Sequence, residues 1–242
     1  MKKILLILVT ILVGSSLNLG REVSNRRVCI YAGSGAVFAG DVELALDKMG
    51  MSYYEVDEDF IARGNINTNM NMNINMNCTC LIVPGGDTSA YVSTLSKNFD
   101  KIRDFILAGG EYIGICAGAY IASDRVEIPG HPEGLGIINI TNKRRSGTGL
   151  VDIVMDLDNP IAEGCPKLMK IWYQNGPYII PGEGVEVVAR YNEDYAAIVR
   201  SKYGKGNVII FSPHPEGSIE NGIDPDILGT IELLENSIKL VE

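Results

Sequence analysis

Basic charge is scarce in this sequence of 242 residues. Lysine and arginine total 21 against 30 aspartates and glutamates, which gives a formal net charge of −9. A surface of this sign offers little to replace the counterions of a phosphate backbone, so the composition argues against nucleic-acid binding. The one basic cluster, at residues 143–145, fits a solvated loop. A pocket for a carboxylate-bearing substrate is the alternative interpretation of that cluster.

Cysteine is present but follows no disulfide pattern. The five cysteines are Cys29, Cys78, Cys80, Cys116 and Cys165, an odd number without framework spacing. Cys29 and Cys80 lie in apolar, strand-like runs and are expected to be small core residues. Cys78 and Cys80 could form a metal or redox pair, but no histidine or second cysteine pair is near them in sequence. We therefore expect no metal and no cofactor.

Long apolar runs are also lacking. The run at residues 4–13 is shorter than the roughly 20 residues that a membrane-spanning helix needs. It follows Lys2 and Lys3 and precedes small residues, which is typical of a secretory signal peptide. Residues 1–16 are therefore predicted to be a signal peptide, with an uncleaved membrane anchor as the alternative. The protein is then exported or anchored outside the cytoplasm and touches the membrane only through this segment; a cytoplasmic location is the alternative.

The remaining chain alternates apolar strand-like runs with helical patterns. Strands are predicted at 27–32, 53–56, 80–83 and 112–115, with helices at 41–49 and 99–108. This order favours parallel crossovers and a sheet covered by helices on both faces. We find no internal linker and predict one α/β domain over residues 25–242.

The second half is richer in short β segments separated by glycine and Asn/Asp turns. They predict antiparallel strands added to the parallel sheet, and the chain closes with a predicted helix at 225–241. Residues 65–77 are low in complexity, with Asn at every odd position, and are predicted to be a flexible insertion. The predicted β segments of this half are 136–140, 151–155, 169–172, 185–191, 196–202 and 207–211, and several of them are expected to form hairpins.

The most distinctive motif is Gly114-Ile115-Cys116-Ala117-Gly118. It follows a strand-like run and precedes a helical one, and small residues flank a single thiol. This is the nucleophile-elbow pattern G-x-S-x-G with cysteine in place of serine. The pattern predicts that Cys116 is a nucleophile on a sharp strand-to-helix turn.

Two histidines are available as the base, and both lie in His-Pro-Glu-Gly. His214 follows the predicted strand at 207–211, so it should lie at the sheet edge where Cys116 also lies. Glu216 is two residues further, on the same side of an extended segment, and can orient the imidazole. The competitor, His131, follows a turn-rich stretch. We therefore assign the base role to His214 and the orienting role to Glu216.

An oxyanion hole needs two backbone N–H groups aimed at the developing charge. Ala117 supplies one as the residue after the nucleophile. The loop at 84–87 ends the preceding strand, and its Gly86 is the predicted second donor, in preference to Gly85. An ordinary strand-to-helix turn is the alternative for this loop.

Other residues are candidates for substrate binding. The loop with Gly33 and Gly35 follows the first strand, but the third glycine of G-x-G-x-x-G would fall at Phe38, so the dinucleotide fingerprint fails. We propose that this loop lines the pocket instead. Trp172 lies in a further wall or packs in the core. The substrate-binding candidates are Gly33, Gly35, Gly85, Asp87, Tyr120 and Asn175.

Together these motifs resemble the class I glutamine amidotransferase-like superfamily, and most closely the family of the biotin–protein ligase N-terminal domain. The matching pieces are the Gly-rich loop, the Pro-Gly-Gly loop at 84–86, the elbow through Tyr120, the Asn-Gly-Pro segment at 175–177 and the His-Pro-Glu at 214–216. The resemblance implies a flavodoxin-like open sheet and a triad of Cys116, His214 and Glu216.

The expected activity is acyl transfer or hydrolysis through a thioester on Cys116, with a small-molecule or peptide amide as the substrate. A binding or regulatory module that keeps the fold and the pocket without turnover is the alternative.

Overall fold

The computed structural model describes residues 27–66, 78–191 and 195–240. The predicted signal segment at 1–16 and residues 67–77 of the Asn-rich insertion lie outside the described residues. Among the helices that are described, none combines the length and the apolar character needed to cross a membrane.

Strands and helices alternate through the described residues, which hold twelve strands and seven α-helices. In chain order they are β1 (Val28–Tyr31), α1 (Ala39–Met49), β2 (Tyr53–Val56), α2 (Glu58–Ala62), β3 (Cys80–Val83), α3 (Thr88–Leu95), α4 (Phe99–Leu107), β4 (Glu111–Ile115), α5 (Ala117–Ala122), β5 (Ser123–Glu127), β6 (Ile138–Lys143), β7 (Thr148–Met155), β8 (Leu168–Gln174), β9 (Tyr178–Pro181), β10 (Glu186–Tyr191), β11 (Ala196–Tyr203), β12 (Gly206–Phe211), α6 (Pro225–Leu228) and α7 (Ile231–Lys239).

One mixed sheet organises the molecule. Its main path runs β2-β1-β3-β4-β12-β11-β10-β7-β8. The first five strands are mutually parallel, and the strands from β11 onward pair antiparallel. A side branch of β5, β6 and β9 joins the sheet through β11. The predicted α/β fold, an open parallel sheet with added antiparallel strands, is confirmed.

Helices cover both faces of the sheet because the central strands are buried on both sides. In β1, Val28 and Ile30 pack in one cluster with α1 and α7. The alternate residues Cys29 and Tyr31 pack in a second cluster with α3, α4 and α5. Strands buried on two faces read as continuous apolar runs, which is why β1, β3 and β4 were recognisable in the sequence.

Cys29 is buried in the core, as expected, but it forms a disulfide with Cys78, so the expectation of no disulfide and the alternative of a Cys78–Cys80 pair are both wrong. The two cysteines are 49 positions apart in sequence. Parallel pairing of β1 with β3 brings them together, because Val28 lies opposite Cys80. Cys80 is buried in the core, as expected, and packs on the opposite face of the sheet from Cys29.

The C-terminal helix predicted at 225–241 is instead two helices, α6 and α7. Gly229 ends α6 in the left-handed region, with φ of 69°. A glycine at this position stops a helix at low conformational cost. Two short helices, α2 and α3, were missed; each begins at an aspartate, Asp57 or Asp87, whose carboxylate accepts from backbone N–H groups of the first turn.

The disulfide yields a stability prediction. Replacing both Cys29 and Cys78 by serine removes a cross-link that closes a long loop, which is worth about 2–4 kcal/mol in the chain-entropy model. We expect the double variant to unfold at lower denaturant concentration than the native protein. Chemical denaturation followed by circular dichroism checks this.

Cys165→Ser is the matched control, since Cys165 is free and half-buried. A native protein whose midpoint does not move when a reductant is added to the unfolding buffer would contradict the prediction.

Candidate active site

Cys116 lies on a sharp turn between β4 and α5. Its backbone has φ of 52° and ψ of −100°, a conformation that non-glycine residues rarely adopt. Glycines on either side allow the close packing this turn requires. A Cβ on Gly118 would lie 2.1 Å from the carbonyl oxygen of Val83, and one on Gly114 would lie 2.6 Å from that of Gly118. The predicted elbow geometry is therefore present at Cys116.

The strands beside β4 bring the other predicted residues to this turn. β3 is its parallel neighbour on one side and β12 on the other. Cys116 N donates to Phe211 O at 2.9 Å, which joins the elbow to the last residue of β12. His214 comes three residues later, and its N–H donates to Trp172 O at 2.8 Å. The side chain of Trp172 is buried in the core, and its backbone carbonyl positions His214 through this hydrogen bond.

His214 and Glu216 form a buried pair. The imidazole Nδ1 lies 2.8 Å from Glu216 Oε1, and the two residues are 1% and 2% exposed. The carboxylate accepts the Nδ1 proton, which leaves Nε2 as the second ring nitrogen. Nε2 is buried and has no conventional hydrogen-bond partner in the described part of the chain. It is the nitrogen available to the Cys116 thiol.

Burial and charge act in opposite directions on the pKa of His214. Burial alone lowers the pKa, but the negative charge of Glu216 and the contact with the Cys116 thiol outweigh it. The pKa of His214 is thereby raised well above its ordinary value of 6.5. Burial also raises the pKa of the Glu216 carboxyl, an effect that His214 partly opposes.

The thiol of Cys116 is enclosed by protein. Its residue is 6% exposed, and Sγ donates to Gln174 O at 3.3 Å. The ring of Phe38 packs edge-on against the imidazole of His214, with 5.4 Å between ring centroids. This aromatic contact shields the thiol and imidazole from bulk water on one side.

The Pro-Gly-Gly loop lies against the same residues. A Cβ on Gly85 would lie 2.7 Å from His214 Cε1 and 3.4 Å from Cys116 Cβ. A Cβ on Gly86 would lie 1.9 Å from Gly35 O. Glycine is therefore required at both positions. The backbone N–H groups of Gly86 and Ala117 have no protein acceptor among the described residues, so both can donate to a ligand.

A cavity of about 610 Å³ opens above Cys116. Six of the predicted site residues line it, together with His131, the competing base, two arginines of the basic cluster and further residues without an assignment from the sequence. The predicted residues are Cys116, Gly86, Ala117, Asp87, Tyr120 and Asn175; the others include Val37, Phe38, Thr88, Ser89, Ile128, His131, Arg144, Arg145, Ser146 and Gln174.

The structure places Gly33 and Gly35 outside the residues that line this cavity. Gly33 packs against Tyr31 and the Glu58 carboxylate. Gly35 has φ of 91° and its carbonyl accepts from the N–H of Asp87 at 2.9 Å. The loop therefore borders the cavity through Val37 and Phe38, whereas Gly35 supports the backbone of the Gly86 turn and is not itself a lining residue.

His131 lines the cavity but lies apart from the His214–Glu216 pair. Its Nδ1 is 2.8 Å from Pro132 O, and its ring lies 5.5 Å from that of Tyr120. Of the two histidines, His214 is the one bonded to a buried carboxylate.

Arg145, in the basic cluster at 143–145, lies where the alternative interpretation of that cluster put it, at the cavity. Its guanidinium carbon lies 4.1 Å from the ring centroids of Tyr173 and Tyr191 and 4.8 Å from that of Tyr178. The residue lines the cavity, and its Nη1 is buried without a partner among the described residues. The prediction of a solvated loop is therefore wrong for Arg145. No sequence signal links the three tyrosines, which come from β8, β9 and β10.

The chain is similar to known proteins in sequence and in fold. The family model described as biotin–protein ligase, N terminal, matches residues 26–139. The chain is 32% identical over 190 residues to the biotin–protein ligase of Schizosaccharomyces pombe, covering 66% of this chain and 30% of that protein. It is therefore similar to less than a third of the ligase.

A second relative is shorter and more fully covered. The chain is 31% identical over 145 residues to the pyridoxal 5'-phosphate synthase subunit PdxT of Tropheryma whipplei, covering 56% of this chain and 70% of that protein. A solved structure titled as a glutamine amidotransferase superposes with a TM-score of 0.61 at 23% identity, covering 87% of this chain and 98% of that one. At that identity the structural likeness shows the fold alone.

The buried pair predicts how stability depends on pH. Because the pKa values of both His214 and Glu216 are raised on folding, these two groups bind more protons in the folded protein than in the unfolded chain between about pH 4.5 and the raised pKa of His214. The resulting stabilisation is present at low pH and is lost as the pH rises past 6.5 through the raised pKa of His214. We expect the double variant His214→Gln, Glu216→Gln to show a weaker fall in unfolding free energy over this range.

Urea denaturation at several pH values measures this slope. Repeating the series at high salt is the control, since salt screens surface charges but screens a buried pair much less. Identical slopes for the native protein and the double variant would contradict the prediction.

Proposed function

Because this chain belongs to the class I glutamine amidotransferase-like superfamily and carries a biotin–protein ligase N-terminal domain, we propose that it is a cysteine-dependent amidase or amidotransferase. The observation that carries the proposal is the strained turn of Cys116 beside the buried His214–Glu216 pair. A thiol, a base and an orienting carboxylate in this order form the constellation used for nucleophilic acyl transfer.

The reaction begins when His214 Nε2 takes the proton of the Cys116 thiol. The thiolate attacks the carbonyl carbon of the substrate amide, a carbon–sulfur bond forms, and the carbonyl oxygen becomes an oxyanion. When the tetrahedral intermediate collapses, the carbon–nitrogen bond breaks and His214 returns its proton to the departing amine. Water or another acceptor then attacks the thioester, and the thiol of Cys116 is regenerated.

Two backbone N–H groups are positioned to hold the oxyanion. Those of Gly86 and Ala117 both border the cavity at Cys116 and have no protein acceptor within the described residues. Donors that are held by the fold need no reorganisation as charge develops, and the loss of one such donor typically costs 10²–10³-fold in rate.

The residues that line the cavity favour a substrate that carries an acidic group as well as an amide. Arg145 is held on three aromatic faces and borders the cavity with Arg144, while Asp87 is already occupied as the cap of α3. A guanidinium is well suited to bind a carboxylate. We therefore favour a small-molecule or peptide amide that carries a carboxylate; glutamine, the substrate class named for the structural neighbour, has both groups.

Covalent labelling tests the proposal. A diazoketone analogue of glutamine should add to the native protein, with the added mass on the peptide that contains Cys116. Cys116→Ala should abolish the label. His214→Ala should slow labelling by about 10²-fold or more, since general-base assistance contributes 10²–10⁴-fold.

Cys165→Ala is the matched control, because Cys165 is a free cysteine remote from the cavity lining. Labelling of the His214→Ala variant at the native rate would refute the base role of His214. Tight binding of the analogue without covalent addition would support the alternative of a non-catalytic binding module. An analogue with its carboxylate esterified, compared in the native protein and Arg145→Met, reports whether Arg145 reads the acidic group.

Export is part of the proposal and rests on residues 1–16 together with the disulfide. Structural disulfides persist in oxidising compartments and are rare in the cytosol. The Cys29–Cys78 bond is therefore consistent with a domain that works outside the cytoplasm. Fractionation of cells that express the full chain should recover the folded domain in the extracytoplasmic or membrane fraction. Recovery only in the cytosol with Cys29 and Cys78 reduced would contradict export.

A further inference from the structure

Asp41, a buried carboxylate, lies behind the His214–Glu216 pair and has no role in the mechanism above. It is in the first turn of α1 and is 8% exposed. Its Oδ1 accepts a 2.7 Å hydrogen bond from the backbone N–H of Ile219, three residues after Glu216. A buried carboxylate carries a desolvation cost, so its presence calls for a reason beyond packing.

The segment that carries the pair, residues 214–219, is bonded to neighbouring parts of the chain, and three of these attachments join it to other secondary-structure elements or their caps. His214 N donates to Trp172 O in β8, and the hydroxyl of Thr230 donates to Pro215 O at 2.9 Å. The third attachment is the bond from Ile219 to Asp41. Of these three attachments, only the one at Asp41 brings a charge.

Asp41 interacts electrostatically with both members of the His214–Glu216 pair. The imidazole of His214 opposes the rise in the pKa of Asp41 that burial causes, and Asp41 in turn raises the pKa of Glu216. Asp41 also faces Glu220, and Glu216 faces Tyr91 on α3, whose burial raises its pKa and keeps it a neutral phenol. The groups that face His214 are therefore Glu216, Cys116 and Asp41.

We propose that Asp41 is a positioning residue for the Cys116–His214–Glu216 site, holding the 214–219 segment in place and adding a second negative charge beside the imidazole. The role of the site in this proposal rests on the function proposed above. The electrostatic coupling between Asp41 and His214 can be measured independently of that function. A second carboxylate favours the protonated imidazole, which is the state that forms when the thiol gives up its proton.

Titration of the imidazole tests this coupling directly. His214 is one of only two histidines in the chain, so nuclear magnetic resonance of ¹⁵N-histidine-labelled protein, with His131→Gln for assignment, follows it cleanly. Asp41→Asn keeps an oxygen acceptor for Ile219 and removes the charge. We expect the midpoint of His214 to fall by about half a unit or more, as expected for loss of a nearby opposite charge.

Two further variants separate charge from structure. Glu43→Gln removes a charge from the same helix, but the charges that act on Glu43 are those of Glu55 and Asp47, so the midpoint of His214 should stay at its native value. Asp41→Glu keeps the charge and should restore the midpoint at least partly. An unchanged midpoint in Asp41→Asn, or an equal fall in Glu43→Gln, would overturn the proposal.

A measurement on the native protein remains decisive if the Asn variant does not fold. The amide proton of Ile219 should report the ionisation of Asp41, with a midpoint above the ordinary carboxyl value of 3.8. An Ile219 amide insensitive to pH in this range would refute the contact. Because neither readout uses a substrate, a coupled His214 in a protein that does not label at Cys116 would refute the proposed function alone.

Discussion

Parallel hydrogen bonding between β4 and β12 brings the thiol and the imidazole to one edge of the sheet. The two strands pair in register from Glu111 opposite Asn207 to Ile115 opposite Phe211. Both strands therefore end at the same level, and the turns that follow them must share the same space. With β3 on the other side of β4, the Gly86 loop is brought to that edge too. A register shift of one residue between β4 and β12 would move His214 away from Cys116.

Several features of the site cost folding free energy, and the packing of the rest of the fold offsets that cost. Cys116 has a positive φ, a strain of order 1–3 kcal/mol that persists only where the surroundings enforce it. Its N–H bonds to Phe211, and its carbonyl accepts from the N–H groups of Ala119 and Tyr120. His214 and the carboxylates next to it are buried. Burying such titratable groups together adds little net stability to the folded state. Strain and buried charge at one cavity are typical of residues kept for chemistry.

Much of the site was predictable because its residues lie in short, local sequence patterns. The elbow is five consecutive residues, and the spacing of His214 and Glu216 in an extended segment already puts both side chains on one side. The places of Gly86 and Ala117 at the cavity were predictable because one residue follows a strand and the other follows Cys116. The gaps in the prediction are equally physical. Helix α3 has no clear signal in the sequence, because its eight residues include several serine and β-branched residues of low helix propensity.

Sequence alone determined the alternation of strands and helices, the strained turn and the spacing within His-Pro-Glu, because each depends on neighbours along the chain. Tertiary structure decided which distant residues meet. The Cys29–Cys78 bond depends on the pairing of β1 with β3, and Asp41 reaches Ile219 only because α1 packs beside the segment after β12. Arg145 likewise meets tyrosines from three different strands. Such contacts are set by strand order and packing, which no short stretch of sequence encodes.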